Sequence, residues 1–199
     1  MVIGSTSSLT YQQPKNWWKH LIWRFTRHQE VDYEIQYKFY GVRLFELKLY
    51  VNNKNKLVIK NKGMTYNVFS LYQILDFFDK MGDVSVLVTL DESFEDYVYH
   101  GDIHSVEKKF IDSCKAFETI YENIMFYGGY REFDKKQLFK FTWEEEHDEI
   151  SVIKPDDWSI IYRLAQRFCP FLVRKLNKAY IKKYDKLKGF LMLSYVNRR

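Results

Sequence analysis

The chain has two cysteines in 199 residues, Cys114 and Cys169, and neither belongs to a Cys-x-x-Cys pair. That excludes a disulfide framework and a thiolate zinc or redox motif, and isolated thiols suit a reducing compartment. Proline is scarce, with 3, and glycine modest, with 8. Low-complexity linkers and internal repeats are missing too, so nothing divides the chain. No run reaches the ~18 apolar residues of a membrane span, and Met1-Val-Ile-Gly4 is too short for a signal-peptide core. The expectation is a soluble protein made in the cytoplasm, with packaging in a particle as an alternative. A glycine-rich phosphate loop, a Gly-x-Ser-x-Gly elbow and a dinucleotide fingerprint are also lacking.

What the chain does have is rings. Aromatics are 19% of residues, with 16 Tyr, 16 Phe and 5 Trp, which points to a core built on rings with Tyr hydroxyls at its edge. A chain of this length is most simply one domain, residues 1–199, and buries about 70% of its unfolded surface. Residues 1–4 read as a short buried strand. Val31, Ile35 and Phe39 recur every four residues and predict an amphipathic helix ended by Gly41. Val42, Leu44, Leu47 and Leu49 predict a strand over 42–50, with Phe45 breaking the strict alternation, so both faces are buried as in parallel sheets. A further strand follows at 57–60. Ser70 and Gln73 form a capping box for a helix whose face is Leu71, Ile74, Leu75 and Phe78. Residues 84–90 form the plainest strand. Asp102 caps a helix with Ile103, Val106, Phe110, Cys114, Phe117 and Tyr121 on its apolar face. Ile124–Tyr127 and residues 190–195 complete the strands, with helix over about 158–184 interrupted near Pro170. Strand and helix alternate, which predicts an α/β protein with a mostly parallel sheet and helices outside it.

Charge is uneven. Trp158–Arg199 holds eleven Lys or Arg against one acid, Asp185, while the whole chain carries +5. Arg163, Arg167, Arg174, Lys175, Lys178, Lys182 and Lys183 share a segment with Ile160, Leu164, Phe168, Leu172 and Leu176. This is either an outer helix with a solvated cationic face or a contact for an acidic protein, an anionic lipid surface or nucleic acid. The partner-binding candidates are Arg174, Lys175, Lys178, Lys182 and Lys183. No nucleic-acid motif accompanies them.

Four segments fall in an order that carries chemistry. Met1–Tyr11 is a strand running into Gly4-Ser-Thr6-Ser7-Ser8. Gly41-Val-Arg-Leu-Phe-Glu46-Leu-Lys48-Leu49 is a second strand, Leu57–Tyr66 places Lys62 before Gly63, and Val84-Ser-Val-Leu-Val-Thr-Leu-Asp91-Glu92 ends a buried strand in carboxylates. Together, over about the first 130 residues, they resemble the phosphatidylinositol-specific phospholipase C-like phosphodiesterases, and most closely phage-type versions of that family. The family opens with Gly-Thr-His-Asp-Ser, continues with Gly-Val-Arg-x-Phe-Asp-x-Arg, and ends its third strand in His-Gly. The resemblance implies a (β/α) TIM-type barrel. About 200 residues is the lower limit for a closed eight-stranded version, so this barrel is expected to be trimmed or incomplete. It also implies a phage or mobile-element origin, with a phage particle as one location.

Each matched site position is altered. Thr6 and Ser7 stand where the resemblance places a catalytic His and its acid, Glu46 replaces Asp, Lys48 replaces Arg, and Lys62 replaces the second His. The family reaction cleaves a phosphodiester, with one His removing a proton and the other protonating the leaving oxygen, and unperturbed His sits near 6.5. Thr6 accepts no proton at neutral pH, and a Lys62 starting near 10.4 would need a depression of several units to shuttle one. Lys62 and Lys48 can still hold an anion, although Lys48 lacks the bidentate fork of Arg. Glu46, with Asp91 and Glu92, can offer hard oxygen ligands to Ca or Mg.

Two readings follow. In the first the chain is a pseudoenzyme: the site has lost catalysis and keeps a vestigial phosphate or anion pocket, serving a binding or structural role. In the second, Glu46, Asp91, Glu92 and a nearby His run an altered, metal-dependent phosphodiesterase. If the resemblance fails, Glu46 and Lys48 are strand-end residues facing solvent. Two other groups carry less: His100-Gly-Asp-Ile-His104 reads as a loop and helix cap, and Glu144–Glu149 as a solvated acidic loop.

Overall fold

The computed structural model describes residues 1–5, 8, 29, 31–51, 57–61, 64–65, 71–90, 103–129, 137–140, 149–153, 164, 168–194 and 196–198. Among them run β1 (Val2–Ser5), α1 (Tyr33–Tyr40), β2 (Val42–Val51), β3 (Leu57–Asn61), β4 (Met64–Thr65), α2 (Leu71–Met81), β5 (Ser85–Leu90), α3 (Ile103–Ile120), β6 (Met125–Gly129), β7 (Gln137–Lys140), β8 (Glu149–Ile153), α4 (Pro170–Lys183) and β9 (Gly189–Leu193). A 3-10 turn, Val196–Arg198, ends the order.

The strands pair in a ring. In order the sheet runs β1-β9-β8-β7-β6-β5-β2, and β1 pairs with β2 as well as with β9. Every pairing around it is parallel except those of β7, which runs against both β6 and β8. The β3–β4 hairpin hangs from the far end of β2, antiparallel to it at Leu49–Val51. This is a trimmed, incomplete TIM-type α/β barrel: seven strands in the ring where a full barrel has eight, one of them reversed. The short β7 and β8 escaped the periodicity reading, because four or five residues in an antiparallel ladder carry too few alternations to stand out.

The broken alternation of β2 has a physical cause. Ile3 pairs with Val42 but Gly4 pairs with Leu44, so Arg43 is an extra residue in the ladder, a bulge that re-aims the strand. Its guanidinium turns outward over the Tyr37 ring, 4.1 Å from the centroid, and pairs with Asp83 at 2.7 Å. Beyond the bulge Phe45, Leu47 and Leu49 face the helices, where Phe45 stacks on Phe78 at 4.5 Å. Leu44 faces inward with Leu87, Tyr127, Val152, Phe190 and Met192. Both faces are buried, as the sequence predicts.

Helix ends obey local rules. Asp32 caps α1 by accepting the Ile35 N–H at 2.8 Å, and Gly41 closes it at φ 57, a left-handed geometry that glycine adopts without strain. The face of α1 differs from the Val31-Ile35-Phe39 reading. Val31 packs partly on the core, but Ile35 is exposed and Phe39 is 76% exposed; the buried residues are Tyr33 and Gln36, with Tyr37 and Tyr40 packed beside them. A pure i, i+4 row drifts about 40° per step around a helix, whereas 33, 36, 37 and 40 follow the i, i+3, i+4, i+7 spacing of one stripe. The same drift operates in α4. Leu172 is exposed, while Val173, Leu176, Asn177 and Tyr180 turn inward. Pro170 opens α4, where a missing N–H costs nothing.

Candidate functional site at the barrel mouth

In a parallel barrel the strands' C-terminal ends share one mouth, and side chains alternate between core and helices. Glu46 and Lys48 follow Leu44 on the inner-facing positions of β2, Glu46 at its middle and Lys48 in its C-terminal half. Ser5, the last residue of β1, pairs with Phe45, so Glu46 sits just beyond the end of β1. Glu46 is 3% exposed and Lys48 half-buried. The reading of Glu46 as a solvent-facing strand end is therefore wrong: it points into the barrel.

Thr89 was not singled out from sequence. Its register partner across the β2–β5 ladder is Lys48, and that of Leu87 is Glu46. Thr89 is 9% exposed, and its hydroxyl oxygen is buried with no hydrogen-bond partner among the described residues. An unmade hydrogen bond of that kind costs about 1–3 kcal/mol, so the hydroxyl favours a partner from outside the described residues. The signal was present in the alternation: Leu87 and Thr89 share a face, and Thr is the polar one.

Buried amides hold the rim. The Ser8 N–H donates to the Glu46 carbonyl at 3.1 Å, and the Ser8 hydroxyl donates to the Ser5 carbonyl at 2.8 Å. Gln36 accepts from the Ser5 hydroxyl at 2.5 Å and donates to the Ser8 and Val31 carbonyls at 2.9 and 2.7 Å. Gln29 donates to the Leu193 carbonyl at 2.9 Å and accepts the Val196 N–H at 3.1 Å, and Asn177 donates to the Ser194 carbonyl at 3.0 Å. The ends of β1 and β9 and the middle of β2 are thereby tied to α1 and α4, which fixes the backbone under Glu46. Gln36 and Asn177 were missed because a polar residue on a buried stripe reads as a break in the pattern.

Thr6, Ser7, Lys62, Asp91 and Glu92 lie outside the described residues. Among the described residues no three His, Cys, Asp or Glu side chains gather as a metal set. Arg174, Lys175, Lys178, Lys182 and Lys183 are all exposed, on the outside of the barrel and apart from Glu46 and Lys48.

A trimmed (β/α) barrel with a polar group at its mouth is thus the class that the fold and site define. No family model and no curated protein sequence matches the chain. A solved structure does. Phosphatidylinositol-specific phospholipase C of S. aureus, in work on the modulation of its membrane binding, superposes with a TM-score of 0.56 and 13% identity, over 98% of this chain and 85% of that one. The likeness is one of fold, and it agrees with the barrel that the four sequence segments imply.

Proposed function

We propose that this chain is a phospholipase C-type barrel that binds a phosphate-bearing ligand at its mouth and acts as a binding or structural module, without the histidine pair of the family it resembles. The observation that carries the reading is the pairing of Lys48 with Thr89, whose hydroxyl has no partner among the described residues, at the C-terminal end of the β2–β5 ladder. A cation and a donor on adjacent strands, about 5 Å apart, suit two oxygens of one phosphate. Lys62, at the second histidine position, adds a further cation in this reading. With Thr6 at the first, no general base of suitable pKa stands at either matched place.

Glu46 favours a second reading. Buried on the same face, it offers hard oxygen ligands, and with Asp91 and Glu92 it would hold Ca or Mg in an active phosphodiesterase.

One set of measurements separates the two. Inorganic phosphate and inositol phosphate are titrated calorimetrically, and turnover of inositol phospholipids and glycerophosphodiesters is followed with calcium, magnesium or chelator. The binding reading expects phosphate heat that Lys48→Ala abolishes and no turnover. It also expects Glu46→Gln to tighten phosphate several-fold, since a like charge on the next inward-facing position, about 7 Å away, is removed. Turnover lost in both Glu46→Gln and chelator establishes the metal-dependent reading instead.

A further inference from the structure

We infer that the end of the barrel opposite the mouth docks a second copy of this chain, in a back-to-back dimer with two-fold symmetry. Four helices come down to that end. Tyr40 closes α1 before β2 begins at Val42, Met81 closes α2 before Ser85, Ile120 closes α3 before Met125, and Lys183 closes α4 before Gly189. β1, β2, β5, β6, β8 and β9 run parallel, so their first residues share this end with the helix C-termini.

Its centre is apolar and open to water. Val2 pairs with Phe190 and shares its inward face, and Met125 stands two residues before the inward Tyr127. Phe190 and Tyr127 are buried, but Val2 is 39% exposed, Met125 40% and Met1 38%. Ile120, at the foot of α3, is 61% exposed. The apolar filling of the barrel thus reaches solvent here.

Charge around this centre is polarised. The lower part of α4 and its turn into β9, residues 177–188, hold five Lys against one acid, Asp185. The lower parts of α2 and α3 and their turns, residues 76–83 and 112–123, hold six Asp or Glu against Lys80 and Lys115. Lys182, Lys186, Lys188 and Glu122 are exposed, and Glu118 is partly so. β9 is three strands from β6 one way round the ring and three from β5 the other, so the two groups stand on opposite sides. The sequence joining β7, the neighbour of β6, to β8 adds Glu144, Glu145, Glu146 and Asp148 and no Lys or Arg.

Turned over about a two-fold axis in the plane of this end, the pattern meets its own complement. The lysines of one copy lie over the acids of the other, twice, and the apolar centres meet between them. A nucleic acid or an anionic bilayer satisfies the lysines and sets the acids against a surface of their own sign. A protein of one sign engages half of the face, whereas a second copy satisfies both halves. Both mouths stay open and point in opposite directions.

Sedimentation velocity of the full chain over about two decades of concentration tests this. A monomer–dimer equilibrium is expected, with a dimer that weakens as salt rises. Lys186→Glu/Lys188→Glu sets acid against acid at both contacts, and Glu118→Lys/Glu122→Lys sets base against base. Each of these variants should weaken the dimer about tenfold or more. Mixed in equal amounts, the two are expected to recover it as a one-to-one heterodimer, which variants that merely fold badly do not give. Met125→Gln should weaken the dimer too, with circular dichroism unchanged. Phosphate binding at the mouth should be as in the wild type throughout, which keeps this result separate from the function proposed above. A wild-type chain that stays monomeric at every concentration overturns the inference. So does a dimer that neither salt nor charge reversal weakens, a mixture that recovers none, or growth past the dimer into open chains.

Discussion

Burial sets the chemistry of single groups in this molecule, and Cys114 shows it most plainly. Its thiol, on the inward face of α3, is pushed up to about 12, first by desolvation and then by the charge of Glu118. A neutral thiol in that setting is inert to alkylation, whereas the partly exposed Cys169 is open to reagent. The sign of the stability effect follows directly. The folded pKa lies above the unfolded value, so the contribution of Cys114 is complete below about pH 9 and is lost as the pH rises toward 12. Cys114→Val is expected to flatten the fall in stability between pH 9 and 12, by up to about 1.4 kcal/mol for each pH unit. Urea denaturation at stepped pH measures it, and equal slopes in both proteins would remove Cys114 from the account. Thr89 belongs to the same scale: its buried hydroxyl has no hydrogen-bond partner among the described residues.

At the scale of the element, the difference between a spacing and a stripe decides which rings matter. Phe39 and Phe78 are both helical phenylalanines on apolar rows. Phe39 is 76% exposed, while Phe78 is fully buried against Phe45, Tyr33 and Phe77. Phe78→Ala should cost about 3–5 kcal/mol and Phe39→Ala less than about 0.5 kcal/mol, read as midpoint shifts in chemical denaturation. Comparable losses would mean that the exposed row of α1 packs after all. The strong elements were legible from sequence: α2 with its four-residue apolar face, β5, β9, and the Gly41 terminator. The inward faces of α1 and α4 were not, because Gln36 and Asn177 occupy them. A buried amide satisfied by three carbonyl or hydroxyl partners is as comfortable there as a leucine, but no hydropathy pattern shows it. Of the mouth, motif spacing located Glu46 and Lys48, and it missed Thr89 because a lone threonine in a strand ordinarily signifies only β propensity.

For the whole molecule the ring is the defining feature, and its closure was beyond the reach of local pattern. Alternating elements imply a parallel sheet, but only the pairing of β1 with both β9 and β2 joins the ends. Gly189 guards one seam. It starts β9 at φ 147, and a Cβ there would meet the Ser151 carbonyl oxygen of β8 at 2.1 Å. That neighbour is backbone and has no rotamer to yield, so Gly189→Ala is expected to cost about 3 kcal/mol or more and to loosen the β8–β9 ladder. Hydrogen exchange should show the loss first in Val152, Ile153, Phe190 and Leu191; protection equal to wild type would relieve Gly189 of this role.

The four residues of β1 are bonded on one side to β2 and on the other to a strand at the opposite end of the chain. At about 5–20 residues per second, a ribosome takes roughly 10–40 s to travel from the first of these strands to the last. Throughout that interval β1 has one neighbour at most, and the open backbone edge meant for β9 is available to other nascent chains. β1 is thus completed by a strand made much later, so the yield of this protein in a cell depends on how well that waiting edge is shielded during translation.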